Sequence, residues 1–382
     1  MKDTYISEAV KYIGADDTTL DLFESQYQIP NGVSYNSYVI LDEKVAVMDT
    51  IDERKTDEWF ANLENVLNGR TVDYLVISHL EPDHAANIKR AADKFPKAQL
   101  VLSAKAKAML PQFFDIAHLD ERCLVVKEGD TLELGIHKLH FVMAPMVHWP
   151  EVMVEYEETE KILFSADGFG KFGALSAEEE WTDEARRYFI NIVGKYGVQV
   201  QTLLKKAAAL DIQTICPLHG PVLKENLGFY IGKYLTWSSY EPEEDGVLVA
   251  CASIHGNTKA AAEKMVEVLR ANGASKVVFM DLTRDDMAEA VADAFRYGKI
   301  ILAAASYDAG VFPPMEDFLH RLVHKNLQKR TFGLIENGSW APCAAKGMKG
   351  ILEGMKEVNI CENVVSIKST MKDTDVAKME EL

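Results

Sequence analysis

Hydrophobic residues in the first two thirds of the chain fall into short runs separated by polar turns. Apolar runs at 38–41 and 45–48 flank a charged turn, and this pattern predicts a β-hairpin. The spacing of apolar residues over 85–95 predicts a helix with Asn87 facing outward. Strand-like patterns also occur at 74–78, 99–103, 139–143, 152–156 and 162–165. Strands mixed with helices in this way predict a layered α/β architecture with sheets at its centre.

The pattern after residue 246 becomes a regular alternation of strand and helix. Residues 237–246 are acidic, contain Pro242 and Gly246 and have no apolar period, so we interpret them as an interdomain linker. Strands are predicted after it at 247–252, 276–280, 299–304 and 330–335, and helices at 258–272, 287–297 and 315–325. This alternation is typical of a doubly wound parallel sheet.

Composition and charge narrow the class of protein. The 382 residues are 48% hydrophobic and 26% charged, as in a globular protein of two or three domains, and the formal net charge is −18. A field of that sign repels phosphates, so we expect neither a nucleic-acid partner nor a membrane-surface role. Five cysteines without a C-x-x-C pair argue against a disulfide framework. The N-terminal sequence, which begins Met1–Tyr5, lacks the apolar stretch that a signal peptide needs. No run approaches the roughly 20 apolar residues of a membrane-spanning helix, so we expect a cytoplasmic protein.

The densest cluster of metal-binding side chains lies between Ser78 and His84. At period two, His79, Glu81 and Asp83 would point the same way from an extended segment, and His84 would approach from another side. These are too many ligands for one ion that also keeps an open position, so we expect two ions. Burying so many polar groups without a metal would be costly.

Three further candidates follow the ends of strand-like runs, namely His148, Asp167 and His219. Asp167 is the best candidate for a carboxylate that bridges two ions, and we expect Glu151 to be an outer partner or a surface residue. The remaining structural histidines are expected at 118, 137, 140, 320 and 324. Carboxylates in place of imidazoles favour iron over zinc, although composition leaves the metal open.

The cluster resembles the H-x-H-x-D-H signature of the metallo-β-lactamase fold, with Glu81 in the second His position. Together with the later His-Trp-Pro, Ser-x-Asp and His-Gly segments, this pattern resembles the flavodiiron proteins, or A-type flavoproteins. A loop at the first strand-to-helix junction of the second half carries small and hydroxyl residues suited to a phosphate, and it resembles the flavodoxin phosphate loop. Two later loops resemble those beside the flavin ring. The predicted flavin-contacting residues are Ser253, Ile254, His255, Gly256, Asn257, Thr258, Ser306, Tyr307, Asp308, Ala309, Gly310, Asn337, Gly338, Ser339 and Trp340.

The resemblance implies an αββα sandwich over residues 1–244 with two iron ions, and a flavodoxin-like doubly wound sheet over 245–382 with FMN. It also implies reduction of O2 to water, or alternatively of NO to N2O, with a rubredoxin or similar carrier as electron donor. A head-to-tail homodimer or a dimer of dimers is expected. Two rivals stay open: a dizinc hydrolase fused to a flavodoxin-like domain, and an electron-transfer module with a vestigial metal domain.

Overall fold

The computed structural model describes residues 6–382; the segment Met1–Tyr5, which entered the expectation about export signals, lies outside the described residues. Over residues 6–382, no helix combines the length and the apolar character needed to cross a membrane. The chain divides into two compact units. The first contains the chain up to Phe189 and Val198–Tyr234, and the second contains Ile190–Gly197 and Leu235–Leu382.

The first unit is built mainly from short strands. In chain order they are β1 (Val10–Tyr12), β2 (Ala15–Asp17), β3 (Leu22–Phe23), β4 (Tyr27–Gln28), β5 (Val33–Tyr35), β6 (Tyr38–Leu41), β7 (Val45–Met48), β8 (Tyr74–Ile77), β9 (Gln99–Ser103), β10 (Cys123–Val126), β11 (Thr131–Glu133), β12 (Lys138–Met143), β13 (Met153–Glu157), β14 (Ile162–Phe164) and β15 (Thr214–Cys216).

Helices connect these strands. The α-helices are α1 (Thr56–Leu67), α2 (Pro82–Ala85), α3 (Ile88–Lys94), α4 (Ala104–Met109), α5 (Leu119–Arg122), α6 (Trp181–Tyr188), α7 (Gly197–Ala207) and α8 (Leu227–Ser238). Short 3₁₀ turns occur at Glu53–Lys55 and Leu110–Gln112. A π-helical turn at Phe189–Val193 and a 3₁₀ turn at Gly194–Tyr196 follow α6, and from Ile190 onward they belong to the second unit.

Two sheets form the centre of the first unit. One has the strand order β1-β6-β7-β8-β9-β10 and the other has the order β11-β12-β13-β14-β15. The predicted hairpin is the antiparallel pair β6–β7, with Tyr38 opposite Met48. Alternate residues of the two sheets meet in a shared core, where Ile40 and Val76 of one sheet lie with Phe141 and Phe164 of the other. Burying each such side chain stabilises the fold by roughly 2 kcal/mol.

The opposite faces of both sheets pack against helices. Val47 and Leu75 of the first sheet line one small space with Trp59 of α1. Leu163 of the second sheet lines another with Val200 of α7. The layers therefore run helix, sheet, sheet, helix, and the predicted αββα sandwich is confirmed.

The second unit is a parallel sheet connected by helices. Its strands are β16 (Glu244–Ala252), β17 (Val277–Asp281), β18 (Tyr297–Tyr307), β19 (Gly310–Val311), β20 (Gln328–Asn337) and β21 (Lys356–Ile367). Its helices are α9 (Asn257–Ala271), α10 (Met287–Arg296), α11 (Pro313–His324), α12 (Ala344–Leu352) and α13 (Asp373–Glu381).

The order of these strands identifies the topology. The sheet runs β17-β16-β18-β20-β21, and each neighbouring pair is parallel, with only the short β19 antiparallel to β18. Numbered within the unit this is the order 2-1-3-4-5 of flavodoxin-like folds. The predicted doubly wound sheet is confirmed. Ligands bind such folds where the order reverses, which here is between the ends of β16 and β18.

Two local expectations are wrong. The helix expected over 85–95 is interrupted between α2 and α3, and Asn87 at the break is buried rather than outward. Its amide donates to Ile51 O at 2.8 Å and accepts from the Thr56 hydroxyl at 2.7 Å, so it supplies hydrogen bonds where the helix ladder stops. The predicted linker 237–246 begins inside α8 and ends inside β16, so only 239–243 lie outside regular elements.

Candidate functional site

Strand direction brings the candidate metal ligands to one edge of the first unit. β13 is antiparallel to β12 and β14, and β15 is parallel to β14, so the carboxyl ends of β12, β14 and β15 share an edge. His148, Asp167 and His219 follow those ends. The Met153 amide donates to Ser78 O at 3.1 Å, which joins the end of β8, just before His79, to the same edge.

The seven predicted ligands form two groups of side chains that could each hold a metal ion. One group contains His79, Glu81, His148 and Asp167, and the other contains Asp83, His84 and His219. The expected common direction of His79, Glu81 and Asp83 is wrong, because Pro82 starts the helical turn α2 and turns Asp83 toward the second group. The helical turn also carries His84 to that group.

Asp167 lies between the two groups and presents one oxygen to each. Its Oδ2 atom is 3.3 Å from His79 Nε2 and 3.2 Å from His148 Nε2. Its Oδ1 atom is 3.1 Å from His84 Nε2 and 3.8 Å from His219 Nε2. Ligands about 2.1 Å from an ion at tetrahedral angles are roughly 3.4 Å apart, so these separations match donors gathered around two cations.

The other two carboxylates each serve one group. Glu81 Oε2 lies 2.9 Å from His148 Nε2 and 3.3 Å from His79 Nε2. Asp83 Oδ2 lies 3.2 Å from His219 Nε2 and 3.4 Å from His84 Nε2. Each group therefore combines two imidazoles with its own carboxylate and one oxygen of Asp167.

Several of these buried polar atoms have no hydrogen-bond partner among the described residues. They include both carboxylate oxygens of Asp83 and Asp167 and the Nε2 atoms of His84 and His219. Burying polar atoms without a partner destabilises the fold, so these atoms indicate that an ion binds here. The donor set therefore fits a pair of metal ions, and two of its three carboxylates lack any other partner.

The electrostatics of the site also favour cations. Burial lowers the pKa of His84, but the negative charges of Asp83 and Asp167 outweigh burial and raise it to about 9. Burial likewise opposes protonation of His148, yet the carboxylates of Asp167 and Glu81 beside its Nε2 atom raise its pKa to about 9. Burial raises the pKa of Asp167, but the surrounding imidazoles hold it well below the usual value. Positive charge at this site therefore stabilises the carboxylates. Metal ions and protons compete for the same imidazole nitrogens.

Partners outside the ligand set orient two of the imidazoles. His79 Nδ1 lies 2.8 Å from Glu151 Oε1, so Glu151 is a buried outer partner and not a surface residue. His219 Nδ1 donates to Ser34 O at 2.7 Å, and the ring contacts Phe23 and Tyr188. Sequence reasoning missed Ser34, since a backbone carbonyl acceptor has no residue-type signature.

A cavity of about 630 Å³ lies at the switch point of the second unit. Its volume is within the range of small-molecule sites. The lining residues are Ser253, Ile254, His255, Asn257, Thr258, Ala305, Ser306, Tyr307, Asp308, Ala309, Asn337, Gly338, Ser339, Trp340, Ala341, Cys343 and Ser369. Gly256 and Gly310, both predicted contacts, do not line it, whereas Ala305, Ala341, Cys343 and Ser369 line it without having been predicted.

The loop before α9 has the local structure that an anion site requires. Gly256 has φ +93° and precedes the first helical residue, and its amide donates to Ser253 Oγ at 3.1 Å. The amides of the first turn of α9 are left without helical partners, and they favour a negative group. At the other side of the cavity, Trp340 is 90% exposed, so its indole face is available for stacking.

Comparisons with known proteins agree with both units. Residues 33–220 match the family described as ODP family beta lactamase. A nitric oxide reductase of Moorella thermoacetica is 26% identical over 99% of this chain and 96% of its own length. The structure of rubredoxin oxygen:oxidoreductase from Desulfovibrio gigas superposes with a TM-score of 0.91 at 25% identity, covering 99% of this chain and 96% of that one.

A third comparison extends to a protein whose structure carries the family name. The crystal structure of the flavodiiron protein from Giardia intestinalis covers 100% of this chain and 94% of its own, with a TM-score of 0.88 at 24% identity. The resemblance to the flavodiiron proteins is confirmed. The fold of these structures therefore extends over both units of this chain.

Proposed function

We propose that this protein is a flavodiiron oxidoreductase that reduces O2 to water with electrons relayed through FMN; the alternative is that it reduces NO to N2O at the same site. The observation that carries the proposal is the position of Asp167, whose two oxygens face two separate pairs of imidazoles. The names of the Moorella and Desulfovibrio relatives include both gases as substrates.

The first unit would hold two iron ions. His79, Glu81 and His148 would bind one ion, Asp83, His84 and His219 would bind the other, and Asp167 would bridge them. Three carboxylates give this set more negative charge than an imidazole-only set. That charge stabilises the more oxidised metal state and favours iron over zinc.

The second unit would hold FMN in the cavity at the switch point. The amides at the start of α9, with the hydroxyls of Ser253 and Thr258 and the amide of Asn257, would bind its phosphate. The loops that contain Ser306–Gly310 and Asn337–Trp340 would hold the ring. When bound, the metal pair and the reduced flavin each supply two electrons, the four that O2 needs to become two water molecules, whereas two NO need only two.

The protein side chains would orient the ligands and limit access of water. Glu151 and Ser34 fix the ring orientation of His79 and His219, so the Nε2 atoms face the carboxylates. The aromatic rings of Phe23, Tyr35 and Tyr188 lie against His219 and form an apolar wall beside the second group.

Partners and location follow the same proposal. We propose a rubredoxin or similar carrier as the electron donor, in line with the name of the Desulfovibrio relative, rubredoxin oxygen:oxidoreductase. We propose a head-to-tail homodimer or dimer of dimers, in the cytoplasm, with residues 1–244 as the diiron domain and 245–382 as the FMN domain. The free thiols of the five cysteines are consistent with a reducing compartment.

Anaerobic turnover tests the proposal. The purified protein is analysed for iron, zinc and flavin, reduced with a rubredoxin and its reductase, and then mixed with O2 or with NO. We expect iron at about two per chain with one flavin, and consumption of at least one gas. Zinc in place of iron would support the hydrolase, and an iron-loaded, reduced protein that consumes neither gas would support a pure electron-transfer module.

A further inference from the structure

A second, smaller cavity lies in the first unit between the second sheet and helix α7. Its volume is about 30 Å³, enough for a molecule of diatomic size. The lining residues are Val142, Val147, Val154, Leu163, Ser165, Gly168, Phe169, Val200, Leu203, Leu204, Ala207, Leu210 and Tyr234. Apart from a serine, a glycine and a tyrosine, every lining residue is aliphatic or phenylalanine.

The few polar groups in this wall are already engaged. The Ser165 hydroxyl donates to Gly168 O at 2.6 Å, and the Tyr234 hydroxyl accepts from the Phe169 amide at 2.5 Å. A buried water needs two to four polar partners, and apolar cavities without them stay dry and bind nonpolar molecules. The cavity therefore favours a small nonpolar ligand over water.

The cavity wall includes the segments that carry two of the metal ligands. Val147 directly precedes His148, and Gly168 and Phe169 directly follow Asp167. At the same time, Val142, Leu203, Ala207 and Leu210 are only half-buried. The cavity thus lies between ligand-bearing loops and a part of the wall that is close to solvent.

We propose that this cavity holds a small nonpolar diatomic gas, O2 or NO, before it reaches the metal-binding groups. The proposal rests on the function proposed above, because only a gas-consuming site gives the cavity a substrate to deliver. O2 and NO share the relevant chemistry, being small, nearly nonpolar and poorly solvated by water. An apolar space beside the segments that carry His148 and Asp167 would raise the local concentration of either gas.

Xenon provides a direct test that does not depend on turnover. Crystals of the holoprotein are pressurised with xenon, and the anomalous signal is used to locate the atom. We expect a xenon site bounded by Val200, Leu163 and Phe169. Absence of xenon from this cavity in well-diffracting crystals would overturn the proposal.

A filling variant tests the role of the cavity in gas delivery. Val200→Phe adds a ring into the cavity from α7, and Val198→Phe is its matched control, because Val198 lies on the same helix with 70% of its surface exposed. Stopped-flow mixing of the reduced protein with O2 and with NO measures the second-order rate. We expect a several-fold decrease for Val200→Phe, with kcat at saturating gas unchanged, and no decrease for Val198→Phe.

The outcomes separate the two proposals. If the protein binds xenon at this site but reduces neither gas, the proposed function fails while the cavity remains a nonpolar site without a role in delivery. If Val200→Phe keeps its iron and flavin and reacts as fast as the unsubstituted protein, gas delivery through this cavity is wrong. If Val200→Phe loses its metal, the smaller substitution Val200→Leu is used instead. Lower xenon occupancy together with a lower second-order rate in Val200→Leu would support gas delivery, and an unchanged rate would contradict it.

Discussion

The Nδ1 atom of His79 lies 2.8 Å from Glu151 Oε1, and both side chains are fully buried. The same carboxylate oxygen accepts the amide of Leu80 at 3.0 Å. Glu151 therefore holds both the ring of His79 and the backbone that follows it. With Nδ1 occupied in this way, the Nε2 atom of His79 faces Glu81 and Asp167. A carboxylate behind a metal-binding imidazole fixes its tautomer and increases its basicity.

Replacing Glu151 tests this positioning role. We expect Glu151→Ala to weaken metal binding at the first group about 10–100-fold, because His79 loses its acceptor. Glu151→Gln keeps an amide oxygen for the His79 N–H, so a smaller loss is expected. Chelator competition on the reconstituted protein gives the affinities. Equal losses in the two variants would mean that Glu151 acts through packing rather than through its hydrogen bond.

Asp167 should be needed by both groups at once. Asp167→Asn removes the charge that faces the imidazole pairs, so we expect metal content to fall at both groups and gas reduction to fall by about 100-fold or more. The flavin absorbance should not change, since the cavity that would hold flavin belongs to the other unit. Asp57→Asn is the control, because the Asp57 side chain is 99% exposed on α1. Loss of flavin from Asp167→Asn would contradict the assignment of the two sites to separate units.

Sequence patterns predicted the elements well where periodicity and chain direction were sufficient. The hairpin β6–β7 and strand β9 follow directly from their apolar runs. The partition of the metal ligands did not follow, because Pro82 begins a helical turn inside a segment that we treated as extended. Alternate residues point the same way only while the backbone stays extended. Because the backbone turns at Pro82, Asp83 lies with His219 rather than with His79.

Residues that act through the backbone were also beyond sequence reasoning. Ser369 lines the larger cavity because Asn337 binds its main chain: Asn337 Nδ2 donates to Ser369 O at 2.8 Å, and the Ser369 amide donates to Asn337 Oδ1 at 3.0 Å. Asn337 and Ser369 lie at the ends of neighbouring strands β20 and β21, 32 positions apart in sequence. Only the parallel register of the two strands brings them together.

This pair gives a prediction for the larger cavity. Asn337→Asp removes the donor to Ser369 O, so we expect the two loops to separate and flavin to bind about tenfold more weakly. Quenching of FMN fluorescence on titration into the flavin-free protein measures the affinity. Metal content should not change. Ser366→Ala, which removes a hydrogen bond to Glu336 on the same two strands, is a suitable control for general loosening of the sheet.

His137 should make the stability of the first unit depend on pH. Burial lowers its pKa, but the hydrogen bonds to Asp42 and Glu160 and the negative charge of Glu157 outweigh burial and raise it. A raised pKa in the folded state means that the protonated ring contributes stability below its unfolded pKa, and this contribution disappears as the pH rises through the folded value.

The test compares urea unfolding of the unsubstituted protein with that of His137→Asn at several pH values. We expect the variant to be less stable at pH 6 and the difference to shrink toward pH 9. His118→Asn is the matched control, because His118 is exposed and asparagine tolerates its positive φ of 55°. A difference that stays constant across this range would exclude titration of His137 as the cause.

Arg330 anchors the segment that we interpreted as a linker. It is buried, and its guanidinium donates to Tyr240 O at 2.8 Å and to Ala294 O at 3.0 Å, with a further bond to Phe295 O. Burial lowers its pKa to about 10, so the group stays charged at neutral pH. The backbone carbonyls that surround it therefore compensate for the loss of water.

Removing this cation should destabilise the second unit specifically. Arg330→Met leaves several buried carbonyls without donors, and we expect the free energy of unfolding of that unit to fall by about 3–5 kcal/mol. Flavin fluorescence during urea unfolding reports on this unit, and metal release provides the comparison with the first unit. Arg321→Met, on the partly exposed face of α11, should cost no more than about 0.5 kcal/mol. If both arginine variants unfold at the same urea concentration, the carbonyls around Arg330 find other donors, and the segment 239–243 is held by the packing of Tyr240 instead.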